Sequence, residues 1–314
     1  MAYTTSVNPL KAEQIAAAAL GLLQRDIILP GLVWRNAAGD FRGAKNDTIS
    51  FRVPALPGAA RTANLRPDPN DAAGRLRTLD SLAETKVDVT LTKDIYKGTT
   101  IDDEVLTLDI TDFGAQVLNP LVQSVAYGVE DLVATTMSAA TYATGHNLTY
   151  TLTDDPYDVL LDARTVLNKR HVPQDGRVVV CGAAAENWIL KSDHLNQFEQ
   201  SGSDNALRNA QIGRLAGNTV VTSLALPDND IYVFHRTAFI LSTMAPAVPS
   251  GASFGTSTSY AGLALRFIRD YDAMHVQDRA IVDTYAGSNV VVDDLGLGNG
   301  TKGLVRAVKI TLAP

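Results

Sequence analysis

Residues 48–92 read TISFRVPALPGAARTANLRPDPNDAAGRLRTLDSLAETKVDVTLT, a pattern that predicts two strands joined by a long connection. Apolar residues alternate with polar ones at both ends of the stretch, at Ile49, Phe51, Val53, Val87, Val89 and Leu91. A period of two is typical of strands with one buried face. The alternation stops over residues 55–84, so this connection is either disordered or an arm that a partner orders. The sequence therefore predicts two strands at the root of a long hairpin arm.

The composition is that of a folded protein with one or two domains. Of its 314 residues, 46% are hydrophobic and 19% are charged, which is enough apolar material for a core. The single cysteine, Cys181, excludes an intramolecular disulfide and a thiolate zinc site. The longest apolar run, residues 15–23, is too short to span a membrane and lacks the flanks of a secretory signal. We therefore expect folding in a reducing cytoplasm and no membrane contact.

The charge distribution carries more information than the net charge of −7. Residues 1–84 have 10 basic and 8 acidic side chains, which gives +2, whereas residues 85–154 have 3 and 10, which gives −7. Residues 155–314 have 14 and 16, which gives −2. The overall negative charge disfavours a nucleic-acid-binding protein. The asymmetry is either chance or a sign of surfaces that meet between copies of the chain.

The remaining pattern mixes helices and strands and predicts an α+β fold. Residues 8–26 predict a helix with an Asn-Pro start, and residues 27–35 an extended apolar segment broken by Pro-Gly. Residues 113–140 predict a long helix capped by Thr111 or Asp112. Further helices are predicted over 156–168 and 184–190, and strands over 177–181, 219–224, 231–234, 263–272, 280–292 and 304–312.

One short motif suggests nucleophilic catalysis. Residues 251–255 match G-x-S-x-G with Ser253 in the centre, and His275 with Asp270 or Asp272 follows downstream. A working nucleophile elbow needs a strand before the serine and a helix after it. Prolines precede this motif and a Thr-Ser run follows it, which favours a plain loop.

The other candidate motifs favour structural roles. The glycine-rich residues 296–300 lack the spacing of a phosphate-binding loop. The five histidines are widely separated, and the acidic clusters at 102–104, 154–155 and 293–294 occupy positions typical of caps and turns. Cys181 ends an apolar strand and is expected to be buried. The sequence predicts no catalytic residue, no cofactor and no metal site.

Three sets of residues carry a resemblance to a known family. They are LPGLVWRN at 29–36 with DTISFRVP at 47–54, HVP at 171–173 with RVVV at 177–180, and GLALRFIRDYD at 262–272. With the order of elements above, they resemble the major capsid proteins of tailed bacteriophages, which have the Hong Kong 97-type fold. The resemblance is to the coat proteins of podophages and many actinobacterial phages, and it covers nearly the whole chain.

The resemblance implies a division of the chain and a set of contacts between copies. It implies an N-arm (1–47), an extended E-loop (48–92), a P-domain with the spine helix (93–154), an A-domain (155–255) and return strands of the P-domain (256–314). Contacts between copies are then expected at Arg61, Arg66, Arg75 and Arg77 of the E-loop and at Leu29 and Trp34 of the N-arm. The E-loop arginines are expected to meet acidic surface of a neighbour.

The resemblance also implies a function and partners. The chain would assemble in the host bacterial cytoplasm as hexamers and pentamers and form the virion capsid around double-stranded DNA. Expected partners are a scaffolding protein, a portal and a decoration protein, with only non-specific contact to the packaged DNA. Two alternatives stay open. One is a cytosolic serine hydrolase using Ser253 and His275, and the other is a different self-assembling shell or tail protein.

Overall fold

The computed structural model describes residues 28–36, 48–53, 79, 85–102, 113–192, 214–260, 263–294 and 302–313. The helices in these ranges are α1 (Leu29–Leu32), α2 (Asn119–Ala139, preceded by a π-helical turn over Gly114–Leu118), α3 (Pro156–Lys169) and α4 (Ala183–Leu190). The strands are β1 (Trp34–Asn36), β2 (Thr48–Val53), β3 (Thr85–Thr90), β4 (Lys93–Asp102), β5 (Asn147–Thr151), β6 (Arg177–Cys181), β7 (Arg214–Leu215), β8 (Asn218–Thr222), β9 (Asp230–His235), β10 (Phe239–Met244), β11 (Phe254–Tyr260), β12 (Leu263–Asp272), β13 (Gln277–Val290), β14 (Asp293–Asp294), β15 (Lys302–Gly303) and β16 (Ala307–Ala313).

The first sheet is organised around the long strand β13. Its order is β1-β10-β13-β12-β11, and β4 also pairs with β13. Strand β13 pairs antiparallel with β12 over residues 277–283, with β10 over 285–290 and with β4 over 277–286. Helix α2 packs on one face of this sheet, where Phe267, Ala280 and Val282 are buried. This layer confirms the predicted long helix.

The second sheet is covered on both faces at its centre, and its strands β6 and β9 accordingly lack alternation. Its order is β5-β16-β9-β6-β8-β7. Ile231 and Val233 of β9 face a cluster that includes residues of α3 and α4. Tyr232 and Phe234, the intervening residues, face the cluster that contains α2. Continuous apolar runs in β6 and β9 are therefore the sequence signal of a buried sheet.

The predicted strand pair at the root of the arm is confirmed. Strands β2 and β3 pair antiparallel, with Thr48 opposite Thr90 and Val53 opposite Thr85. Val87 and Val89 are buried in a small cluster with Ile240 and Val291. We call β2, β3 and this cluster the arm root. The connection between the strands lies outside the described residues, except for residue 79.

Two predictions for the N-terminal region have different outcomes. The helix over residues 8–26 lies outside the described residues. The extended segment over 27–35 is wrong in part, because residues 29–32 form α1 before β1 begins. Pro30 suits the first turn of a helix, and the amide of Gly31 donates to the carbonyl of Ile28 at 3.1 Å.

Seven strands were not predicted, namely β4, β5, β10, β11 and the two-residue strands β7, β14 and β15. Strands β5 and β16 join the second sheet from outside residues 155–255, whereas β10, from within that range, joins the first. The two sheets thus interleave along the chain, and the domain boundaries given above stay a prediction. Among the described residues, no helix is long and apolar enough to cross a membrane.

Candidate assembly surface

The face of the first sheet opposite α2 is partly apolar and open to solvent. Since Ala280 and Val282 face α2, Ile281 and Tyr285 point to the other side. Tyr285 is 38% exposed, and Tyr96, on the adjacent strand β4, is 70% exposed. We call this surface, formed by β4, β12 and β13 on the side away from α2, the open sheet face.

A fixed ion pair crosses the open sheet face. Arg266 of β12 lies opposite Asp283 of β13, and its guanidinium donates twice to that carboxylate, with one N–O distance of 2.9 Å. Arg266 also donates to the carbonyl of Ala247 at 2.5 Å. Burial and the neighbouring Asp283 raise the pKa of Asp94 on β4. Tyrosines beside a partly buried arginine are typical of protein interfaces, so this face is a candidate contact surface.

The two predicted N-arm contact residues pack within their own chain. Leu29 is fully buried in the cluster that contains α2. Trp34 packs edge-on against Phe51 of the arm root, with 5.3 Å between ring centroids. Contact of either residue with a neighbouring copy stays a prediction. The E-loop residues Arg61, Arg66, Arg75 and Arg77 lie outside the described residues.

The structure does not form the serine–histidine pair that a hydrolase would need. Ser253 Oγ donates directly to Asp270 Oδ1 at 2.9 Å. His275 Nδ1 instead lies 2.9 Å from Asp272 Oδ2, in the turn between β12 and β13. The residue after Ser253 begins strand β11 rather than a helix, so the nucleophile-elbow interpretation is wrong. Arg279 lies 3.1 Å from Asp270 and 3.7 Å from Asp272, and completes a surface network of charges.

The remaining candidate residues take structural roles. Asp155 caps α3 by accepting from the Tyr157 amide at 2.9 Å. Asp293 forms a two-point pair with Arg306, both N–O distances being 2.7 Å. Cys181 is buried, and burial raises the pKa of its thiol to about 11. No group of three or more metal-ligating side chains occurs within the described ranges.

Comparison with known proteins identifies the fold. No family model matches the sequence, and a search of curated proteins finds no significant match. Among solved structures, the chain is similar to one from Mycobacterium phage Che8, with 19% identity, a TM-score of 0.62 and 90% of each chain covered. It is also similar to the capsid of cyanophage P-SCSP1u (11% identity, TM-score 0.61, 89% of each chain). A third match is the mature capsid of bacteriophage PhiM1 (10%, 0.60, 91% of this chain and 87% of that one).

These similarities confirm the predicted α+β fold of the Hong Kong 97 type. The open sheet face was not foreseen from the sequence. Strand β4 has only a few apolar side chains among ten residues, and most of its positions are exposed. The aromatic residue at position 96, between Ile95 and Lys97, was the one available signal.

Proposed function

We propose that this chain is the major capsid protein of a tailed bacteriophage and self-assembles into the icosahedral shell that encloses double-stranded DNA. The observation that carries this proposal is a capsid-type fold along about nine-tenths of the chain, matched over a similar share of the capsid chains. A fold alone permits several functions. The proposal therefore also draws on surfaces suited to contact between copies.

The arm root supports assembly through an extended arm. A two-stranded hairpin is marginally stable alone in water, so a long hairpin needs a surface to lie on. The open sheet face, with Tyr96 and Tyr285, is a surface of suitable chemistry. Repeated contacts of this kind, each weak alone, give a tight shell when many act together.

The partners follow from the same proposal. The chain would form hexamers and pentamers, assembled in the bacterial cytoplasm and ending in the virion. Scaffolding, portal and decoration proteins would bind the assembled rings. Packaged DNA would meet the shell through non-specific contacts only, because the net charge of −7 opposes strong phosphate binding.

The hydrolase alternative lacks support. Ser253 contacts a carboxylate rather than His275, so the histidine that the hydrolase interpretation requires is not positioned to take its proton. The other alternative, a different shell or a tail protein, shares the capacity for self-assembly and differs in the shape of its particles.

Electron microscopy of the full chain, expressed with and without the phage scaffolding protein, tests the proposal. Closed shells are expected, whereas tubes would favour a tail protein. Small particles alone, at high concentration and with scaffold present, would contradict the proposal.

Two substitutions on β4 test the open sheet face. Tyr96→Ser should leave the subunit folded, because the ring is mostly exposed, and should lower the yield of shells. Thr100→Ser, on the same face of the same strand, is the matched control and should assemble normally.

A further inference from the structure

The unit formed by the second sheet and α3 has charge of opposite sign at its two ends. Residues 154–163 contain four acidic side chains and no basic one, at Asp154, Asp155, Asp158 and Asp162. Residues 164–177 contain four basic side chains and one acidic one, or +3. Helix α3 spans both groups, so its ends are about 20 Å apart at 1.5 Å per residue. We call the first group the acidic pole.

The basic end is built from several elements. Arg164 of α3 reaches across to the carbonyl of Ala216 at 2.9 Å and to Gln174 at 3.2 Å. Arg177 begins β6, and Arg236 follows β9, where its amide donates to the carbonyl of Gly176 at 3.1 Å. We call Arg164, Lys169, Arg170, Arg177 and Arg236 the basic pole. Arg236 and Arg177 lie outside α3, so pairing with the helix dipole does not account for this convergence.

Arg164 and Arg177 of the basic pole donate their hydrogen bonds to uncharged oxygen atoms. Arg177 is buried, and it donates to the carbonyls of Pro173 and Val172 and to the side chain of Asn168. Within the described part of the chain, neither Arg164 nor Arg177 forms a salt bridge to a carboxylate. Burial is the largest cause of the lowered pKa of His235, and the positive charges of Arg306, Arg177 and Arg236 lower this pKa further. The hydrogen bonds of Arg164 and Arg177 thus leave the positive charge of these two side chains in place.

We propose that the basic pole of one copy binds the acidic pole of the next copy, head to tail, around a ring. The inference rests on the proposed function, since it assigns residues to a contact between neighbours in a capsomer. A head-to-tail contact joins two different surfaces and closes into a ring when the rotation allows. The poles suit such a contact because they differ in sign, nearly match in magnitude and include residues from the N-terminal and the C-terminal half of α3, respectively. Each copy in a ring would then neutralise its neighbour.

The occupant is a second copy rather than nucleic acid. A phosphate-binding surface works by gathering many cations in a positive field. Here the chain is net negative, and the complementary carboxylates are present once per basic pole on the same unit. DNA binding is therefore the competing outcome of the experiment.

Charge reversal of each pole, separately and together, tests the proposal in the full chain. The basic variant is Lys169→Glu with Arg236→Glu, and the acidic variant is Asp158→Lys with Asp162→Lys. Each should lower the yield of shells by about tenfold, because the substituted side chains then meet like charges across every contact and the attraction between the poles is largely lost. The variant with all four substitutions again places opposite charges at these four positions, and its yield should return to within about twofold of the unmodified chain.

A control with the same chemistry sharpens the test. Lys191 is an exposed cation at the end of α4, and the next residue, Ser192, contacts Asp155 of the acidic pole at 3.4 Å. Lys191→Glu makes the same type of reversal as Lys169→Glu but strengthens the acidic pole. It should therefore assemble like the unmodified chain.

The outcomes separate this inference from the proposed function. If the unmodified chain forms no particles, the proposed function fails. If it forms shells but the fourfold variant stays as defective as either pair, or the pairs assemble normally, the contact between poles is refuted. Normal assembly combined with loss of affinity for a fluorescent DNA duplex would reassign the basic pole to DNA.

Discussion

Gly128 of α2 lies against Ile95 of β4, where the long helix packs on the first sheet, and its substitution tests how close that contact is. A Cβ at residue 128 would lie 2.6 Å from Cγ2 of Ile95 on β4, and real Cβ contacts are never so short. Alanine in place of glycine stabilises an open helix by about 1 kcal/mol. Overpacking costs about 1–3 kcal/mol. Gly128→Ala should therefore cancel or reverse the usual gain and lower stability by up to about 2 kcal/mol.

Gly31 provides the matched control, because a Cβ there meets no atom within 4 Å. Gly31→Ala in α1 should be neutral or stabilising, so the two variants should differ by about 1–3 kcal/mol in the free energy of unfolding. Urea denaturation of the unassembled subunit measures this difference. In an Ile95→Ala background, which lacks the clashing methyl group, Gly128→Ala should cost less than it does in the unmodified chain. Equal stabilisation by both glycine substitutions would refute the tight helix–sheet contact.

Four further expectations follow from other features. Thr284→Val removes a buried hydroxyl that donates to the Ala264 carbonyl at 2.6 Å, and should cost about 1–3 kcal/mol in urea denaturation. Burial lowers the pKa of His146, so its neutral ring supports the fold above the unfolded pKa of about 6.5. That support is lost as pH falls through the lower pKa of the folded state. His146→Gln should therefore make the melting temperature less dependent on pH in this range. An unchanged pH profile of the melting temperature would contradict a stabilising role for the neutral ring. Reversing two of the four E-loop arginines should reduce assembly without changing the circular dichroism of the subunit. Particles boiled in reducing detergent should give one band near 33.5 kDa, because residues 55–84 contain no lysine for an isopeptide bond; a ladder of multimers would contradict this.

The sequence correctly predicted those strands in which the order of apolar and polar side chains shows which faces are buried. The strands of the arm root alternate strictly, and the runs in β6 and β9 are apolar throughout, so each pattern had one reading. Strand β11 has only Gly, Thr and Ser between Phe254 and Tyr260, and it pairs with β12 without alternating apolar residues. Its sequence therefore predicts a loop.

Sequence-based prediction of sites failed where a site depends on which residues pair across neighbouring strands. Phe254 pairs with Arg269, which brings Ser253 beside Asp270, whereas His275 lies beyond the end of β12. Spacing in the sequence could not reveal this. The basic pole was partly visible as a charge run at 164–177, but Arg236 joins it only through the pairing of distant strands.

The order of strands in both sheets has a consequence for how the chain folds. Strand β1 pairs with β10, about 200 residues later, and the C-terminal strand β16 lies between β5 and β9 inside the second sheet. Contacts this distant in sequence slow folding, because a long loop must close before the contact forms. Neither sheet can be completed until most of the chain has left the ribosome, and the second needs residues 307–313. A chain that stops before β16 would then expose apolar strand edges, so synthesis of β16 separates an aggregation-prone intermediate from the folded chain.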